Sequence, residues 1–190
     1  ACEAVHTHTM EEDVAEIGFW VNWLTNKGYN SIALVGHSVG STQILRYAAQ
    51  NPNPAVKIAI LTSLVPFHGK PQEMRSASPL TKQPANKQTL GRFTLTYSIN
   101  TYIAPPSSYL SYAANDTLQT LGLLGKIKVP AEIILGSADK IAADWPGEIQ
   151  NRGIPVTIID NASHFFDGAQ EFDLADKIEP ILKTLPAENK

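Results

Sequence analysis

The sequence has little of what several classes of protein require. A single cysteine, Cys2, stands among 190 residues, so the chain can form neither an internal disulfide framework nor a cysteine-based metal site. Its 15 Lys and Arg residues are outnumbered by 18 Asp and Glu residues, and the net charge of -3 provides no basic excess to bind a phosphate backbone. We therefore expect no nucleic-acid partner.

Long apolar runs are scarce as well. The run at residues 58–65 is interrupted by Thr62 and Ser63 and stops at Pro66, far short of the roughly 18 residues that a membrane span needs. Residues 1–10 contain no apolar segment of the signal-peptide type. These absences predict a soluble protein without a membrane span. They slightly favour the cytoplasm over secretion, but a mature secreted chain would also lack its signal peptide, so the compartment stays open.

The sequence does contain the alternation of elements that is typical of an α/β domain. Four short segments are apolar without alternation, as are strands that are buried on both faces of a parallel sheet. They span residues 31–36, 57–65, 132–136 and 156–160. Thr9 and Glu12 form a capping box before a helical pattern over 10–27, and helix-capable sequence separates the later strands. We predict a three-layer α/β/α fold with a mainly parallel sheet and right-handed crossovers.

Residues 67–128 break this alternation. The segment is rich in Pro, Ser, Thr, Asn and Gln, and its length suggests a partly helical cap or lid inserted into one domain. We therefore assign residues 1–66 and 129–190 to the core and 67–128 to the cap insertion. The aromatic side chains of the insertion suit either the lining of a substrate pocket or the core of a small subdomain. They are Phe93, Tyr97, Tyr102, Tyr109 and Tyr112.

The segment Gly36-His37-Ser38-Val39-Gly40 fits the pattern G-x-S-x-G between a predicted strand and a predicted helix. Glycines on either side of the serine would let the backbone turn sharply and present the Ser38 hydroxyl at the carboxyl edge of the sheet. The start of the following helix would favour negative charge beside it. The alternative is an ordinary turn serine that caps this helix.

A serine hydroxyl is a weak nucleophile without a base, so this interpretation requires a histidine and an acid at the ends of later strands. Asp139 directly follows the predicted strand 132–136, and His164 lies in the loop after 156–160. Asp144 and Asp160 are alternative acids, and His164 could instead be a structural loop histidine.

In this order of serine, acid and histidine, the chain resembles the α/β-hydrolase family. The resemblance extends over nearly the whole chain and includes the blocks IKVPAEIILGSAD (127–139) and NASHFF (161–166). It implies that Ser38 is the nucleophile, His164 the general base and acid, and Asp139 the residue that orients the imidazole. It also implies that the Val39 N–H is one donor of the oxyanion hole.

One part of the family pattern is missing. The family places further strands before the helix that precedes the serine, and the loop after its third strand supplies the second oxyanion N–H; residues 1–9 cannot contain these. The chain therefore resembles the C-terminal half of the fold plus the cap, with strand 31–36 left as an exposed edge. Three explanations remain: a fragment of a longer protein, a second chain or symmetry mate that pairs at this edge, or a naturally minimal fold.

The resulting hypothesis is a cofactor-independent serine hydrolase of the carboxylesterase or lipase type, which cleaves a small-molecule ester or thioester through an acyl-enzyme at Ser38. The alternatives are an acyltransferase with the same three residues and a non-catalytic α/β-hydrolase-like binding protein. No metal is expected, because His6 and His8 have no evident third ligand. No nucleotide is expected either, since the glycines are not followed by the lysine of a phosphate-binding loop.

Overall fold

The computed structural model describes residues 4–50, 52–96, 99–141 and 145–186. The chain divides into two compact units. The insertion unit consists of Ala1–Asp13 and Pro66–Thr120, and the sheet unit consists of Val14–Val65 and Leu121–Lys190. The predicted division into a core of residues 1–66 and 129–190 and a cap insertion of residues 67–128 stays a prediction.

Outside residues 67–128, the elements follow one another in the predicted order of strands and helices. The helices are α1 (Met10–Asn26), α2 (Val39–Ala49), α3 (Pro71–Ala77), α4 (Pro106–Ala113), α5 (Thr117–Leu124), α6 (Trp145–Gln150) and α7 (Gln170–Lys183). The strands are β1 (Ile32–His37), β2 (Val56–Thr62), β3 (Gly91–Leu95), β4 (Ile99–Ala104), β5 (Ala131–Gly136) and β6 (Val156–Ile159). Two short 3-10 helices, Ser78–Lys82 and Ala85–Lys87, lie between α3 and β3.

The capping box predicted at the start of α1 is present. The Thr9 N–H donates to Glu12 Oε2 at 2.7 Å, and the Glu12 N–H donates to Thr9 Oγ1 at 3.2 Å. Each side chain thus satisfies a backbone donor that the helix leaves free, which fixes the start of α1.

The sheet unit is built on four parallel strands in the order β1-β2-β5-β6. Side chains of β2 point alternately to its two faces. Ala59 and Leu61 join a buried cluster with residues of α2, α5 and α6, whereas Ile58 and Ile60 join a second cluster that α7 covers. Both faces of the central strands are therefore apolar, which explains the continuous apolar runs in the sequence. The predicted α/β/α layering and parallel sheet are confirmed.

Strand β1 forms one edge of this sheet, because within the described residues it pairs only with β2. Val35 is 49% exposed there. The prediction of a partner chain at this edge stays a prediction. Part of α1 is also apolar and exposed, where the rings of Phe19, Trp20 and Trp23 contact one another in sequence.

The insertion unit contains an antiparallel hairpin, β3–β4, that the sequence analysis did not predict. Residue Val5 bridges to Ile103 of β4, and the His6 N–H donates to the Ile103 carbonyl at 2.8 Å. Val5 and His6 are thus attached to the hairpin, within the same unit. Local sequence patterns cannot predict the contact between Val5 and Ile103, because these residues are almost a hundred positions apart.

Tyrosines form much of the buried interior of the insertion unit. Tyr102, Tyr109 and Tyr112 are buried, and their rings contact His6, Phe93 and Phe67, among others. Burial raises the pKa of Tyr109 to about 12. Of the two roles open for these aromatic residues, the structure favours the core of a small subdomain for the three tyrosines. Tyr97 lies outside the described residues.

Candidate active site

Ser38 lies at the junction between β1 and α2 in a strained conformation. Its φ of 54° and ψ of -119° are unusual for a residue that has a Cβ atom. The Ser38 N–H donates to the Thr62 carbonyl at 2.9 Å. Beneath the turn, the Ser41 hydroxyl lies 2.8 Å from the Gly36 carbonyl and 2.7 Å from the Thr62 carbonyl. These contacts hold the serine in a backbone conformation that would otherwise be unfavourable.

The two glycines of the motif do not contribute equally to this turn. A Cβ atom on Gly36 would lie 2.6 Å from the Gly40 carbonyl oxygen, a distance that real side chains essentially never show. A Cβ atom on Gly40 would meet nothing within 4 Å. The positive φ belongs to Ser38 itself, so the turn needs Gly36 for the close approach of two backbone segments. The sequence analysis attributed the turn to both glycines.

Asp139 and His164 reach Ser38 from the ends of neighbouring strands. His164 Nε2 lies 2.8 Å from Ser38 Oγ, and His164 Nδ1 lies 2.8 Å from Asp139 Oδ2. The Asp139 side chain is fully buried and that of His164 is 12% exposed. The other carboxylate oxygen, Oδ1, accepts the Ile141 N–H at 2.9 Å. Three residues that are up to 126 positions apart therefore form one continuous chain of hydrogen bonds.

The Asp139 carboxylate determines which nitrogen of His164 carries the proton. An ionised carboxylate can only accept, so Nδ1 of His164 carries the proton that it donates to Asp139. In the neutral imidazole, Nε2 is then an acceptor for the Ser38 hydroxyl proton. This is the tautomer that a base beside a serine nucleophile requires.

Two close approaches bring the His164 loop to Asp139. A Cβ atom on Gly136, the last residue of β5, would lie 2.2 Å from the Ala162 carbonyl oxygen. On the same side, the Asn161 N–H donates to Ser137 Oγ at 2.8 Å. Glycine at position 136 thus allows the ends of β5 and β6 to meet, although the sequence analysis did not single it out.

Ser63 is a further residue that sequence reasoning missed. Its buried hydroxyl donates to the His164 carbonyl at 2.7 Å, and its own N–H donates to the Ile134 carbonyl. The backbone of the histidine is therefore anchored to the central strands. The serine stands just after β2, and only its position in a polar break of an apolar run could have drawn attention to it.

His37 lies beside the site, with its ring centroid 5.3 Å from that of His164. The single hydroxyl proton of Thr62 is directed to the Gly36 carbonyl at 3.0 Å, so Thr62 Oγ1 accepts from His37 Nδ1 at 3.1 Å. Neutral His37 therefore presents an unprotonated Nε2. Burial lowers the pKa of His37 below its ordinary value of 6.5, and the nearby His164 lowers it further. His37 is consequently uncharged at neutral pH.

Val39 is the first residue of α2. N–H groups in the first turn of a helix have no acceptor within it, and the helix dipole makes them attractive to negative charge. The role of the Val39 N–H as a donor to the oxyanion stays a prediction.

The alternative acids differ from Asp139 in their surroundings. Asp160 is exposed, whereas the Asp139 carboxylate is buried against His164. Asp144 lies outside the described residues. Of the alternatives within the described part of the chain, the structure brings only Asp139 to the histidine.

Elsewhere in the described ranges, no three side chains of the kinds that bind metals lie close enough to share an ion. His6 stacks on Tyr102, and His8 Nε2 lies 3.9 Å from Asp13 Oδ1 in the insertion unit. As for membranes, the helices that the structure describes include none with both the length and the apolar character needed to cross one.

A family model described as the alpha/beta hydrolase fold matches residues 1–159, which is most of the chain. The chain belongs to the α/β-hydrolase family. The family resemblance inferred from the sequence is therefore confirmed. No curated protein matches the sequence significantly.

Solved structures of hydrolases share the fold at low sequence identity. A monoacylglycerol lipase from Paleococcus ferrophilus superposes with a TM-score of 0.66 at 16% identity, over 93% of this chain and 76% of that one. Est1E from Butyrivibrio proteoclasticus gives 0.60 at 16% identity, over 93% and 71%. The thioesterase domain from the curacin biosynthetic pathway gives 0.55 at 13% identity, over 94% and 74%. At these identities the likenesses show the shared fold, and membership of the family rests on the family model.

Proposed function

We propose that this protein is a serine hydrolase that cleaves a carboxylic ester or thioester through an acyl-enzyme at Ser38. The observation that carries the proposal is the hydrogen-bond chain Ser38–His164–Asp139, with 2.8 Å at both links. Its geometry suits proton transfer from the serine to the imidazole, and its carboxylate is buried where water cannot compete for Nδ1.

In the first half of the reaction, Ser38 Oγ attacks the carbonyl carbon while His164 Nε2 takes the hydroxyl proton. Asp139 stabilises the imidazolium that forms, and the Val39 N–H donates to the oxygen that becomes negative. The tetrahedral intermediate then expels the alcohol or thiol, which receives the proton from Nε2. The products of this half are the free alcohol or thiol and an ester of Ser38.

In the second half, a water molecule attacks the Ser38 ester and gives a proton to His164 Nε2. The second tetrahedral intermediate collapses, Nε2 returns the proton to Ser38 Oγ, and the carboxylic acid leaves. Every proton taken up is released, so no cofactor is needed for the balance.

The first experiment is intact-mass spectrometry before and after treatment with a fluorophosphonate probe, followed by peptide mapping. We expect one adduct, on Ser38, and release of acid from a short-chain ester or thioester in parallel. Ser38→Ala and His164→Ala should abolish labelling, and Asp139→Asn should slow it strongly because the histidine loses the group that fixes its tautomer. The exposed Ser76 provides the matched control, since Ser76→Ala should label like the wild type.

The outcome of this experiment separates the three functional classes. Absence of both the adduct and turnover would refute the proposal and favour a binding protein. An adduct together with acyl transfer to an added alcohol, at the expense of acid release, would favour an acyltransferase.

A further inference from the structure

Phe165, the residue after His164, has an exposed ring, although the residues before and after it are held in place by a hydrogen bond and by burial. The ring is 73% exposed, whereas Phe166 is 1% exposed and packs into the core below the sheet. The Phe165 N–H donates to Ser163 Oγ at 3.1 Å, and the His164 carbonyl accepts from Ser63. The loop is thus held on both sides of Phe165, which fixes where its backbone stands relative to His164.

Three rings meet at this point. The Phe165 ring lies 5.0 Å from the His164 ring at an interplanar angle of 87° and 5.9 Å from the His37 ring at 43°. The two imidazoles lie 5.3 Å apart. The exposed faces of Phe165 and His37 therefore border the imidazole that exchanges protons with Ser38.

The chemistry of ester cleavage determines which part of the substrate must lie beside the His164 imidazole. His164 Nε2 can protonate the departing oxygen or sulfur only from about 2.6–3.2 Å, so the atoms attached to that oxygen or sulfur must also lie beside the imidazole. Among the described residues of the sheet unit, the rings of Phe165 and His37 lie beside that imidazole, with centroids 5.0 and 5.3 Å from its own. The acyl chain, in contrast, extends from the carbon that is bonded to Ser38 and stays attached when the alcohol or thiol departs.

We propose that the Phe165 ring, together with the ring face of His37, forms an aromatic contact surface for the leaving group, so that the enzyme prefers esters or thioesters whose alcohol or thiol carries an aromatic or other bulky apolar group. The inference rests on the proposed function and extends it to substrate class. Phe165 is then a specificity-determining residue whose effect depends on the leaving group and is independent of the acyl chain.

The test compares benzyl acetate with methyl acetate, which share an acyl group and release alcohols of similar acidity. We expect the wild type to favour the benzyl ester in kcat/KM, and Phe165→Ala to reduce that ratio by roughly tenfold, as is usual for the loss of one apolar contact. The ratio for methyl butyrate over methyl acetate should not change. Phe165→Leu, which keeps an apolar side chain, should retain part of the preference and can replace the alanine variant if that variant fails to fold.

The matched control is Phe172→Ala, because Phe172 is similarly exposed, at 68%, on α7. It should leave both ratios unchanged. An unchanged benzyl-to-methyl ratio in Phe165→Ala, or an equal effect on the butyrate ratio, would overturn the inference while Ser38 labelling leaves the proposed function intact.

Two further outcomes are decisive. If Ser38 labels but neither acetate is turned over, benzyl acetate should still protect Ser38 from the probe in the wild type and less so in Phe165→Ala; equal protection, or none, overturns the inference. If Ser38 neither labels nor supports turnover, the proposed function fails and the inference fails with it.

Discussion

Replacing Gly36 by alanine tests whether the conformation of Ser38 depends on a close backbone approach. In the structure, the new Cβ atom would lie 2.6 Å from the Gly40 carbonyl oxygen, 2.7 Å from its carbon and 2.8 Å from Ile44 Cδ1. Two of these atoms belong to the backbone of α2 and cannot rotate away. Moving the first contact from 2.6 Å to the 3.4 Å of an ordinary van der Waals contact requires a shift of about 0.8 Å between β1 and the start of α2.

Ser38 stands between these two segments, so the shift reaches its hydroxyl. Overpacking of this kind typically costs about 1–3 kcal/mol of stability. A displacement of about 1 Å at a reacting group can cost roughly a hundredfold in rate. We therefore expect Gly36→Ala to lower the second-order rate constant for fluorophosphonate labelling of Ser38 by roughly a hundredfold and the free energy of unfolding in urea by about 1–3 kcal/mol.

Gly40→Ala is the matched control in the same motif. Its Cβ atom would meet nothing within 4 Å, and the residue lies in α2, where alanine is preferred to glycine by up to about 1 kcal/mol. This variant should label at nearly the wild-type rate and unfold at the same or a higher urea concentration. Wild-type labelling by Gly36→Ala, or equal damage by the two substitutions, would refute the argument that the close approach sets the turn.

Two other predictions concern the neighbours of His164. Ser63→Ala leaves the His164 carbonyl without its hydrogen bond, which should cost about 1–3 kcal/mol and slow Ser38 labelling. Ser107→Ala is its control, because the buried Ser107 hydroxyl has no partner among the described residues; equal urea midpoints for the two variants would contradict the assigned role. The pKa of His37 is below 6.5 in the folded protein, so the unfolded chain is protonated first as the pH falls. The stability present above pH 6.5 therefore declines as the pH falls from 6.5 to the pKa of the folded state. His37→Gln should lose less stability than the wild type between pH 8 and pH 5 in urea titrations, and parallel losses would contradict the lowered pKa.

Local sequence patterns predicted much of the fold. The apolar runs at β2 and β5 predicted buried parallel strands because both faces of a central strand must be apolar when helices cover both. The Thr9–Glu12 pattern located the start of α1, because its hydrogen bonds span only three residues. Ser38, Asp139 and His164 could be proposed together, because each follows a strand and parallel strands end at one edge of the sheet.

Other features were decided by tertiary contacts alone. The hairpin β3–β4 and its bridge to Val5 depend on pairing between distant segments, which no local pattern records. The unequal need for Gly36 and Gly40, and the bond from Ser63 to His164, depend on distances between backbones that touch only after folding. The sequence by itself therefore determined which strands and helices of the sheet unit form and which polar residues stand at their ends, since these follow from short-range hydrogen bonding and burial. The tertiary structure decided how those ends are held within hydrogen-bond reach, because that depends on close approaches across the sheet.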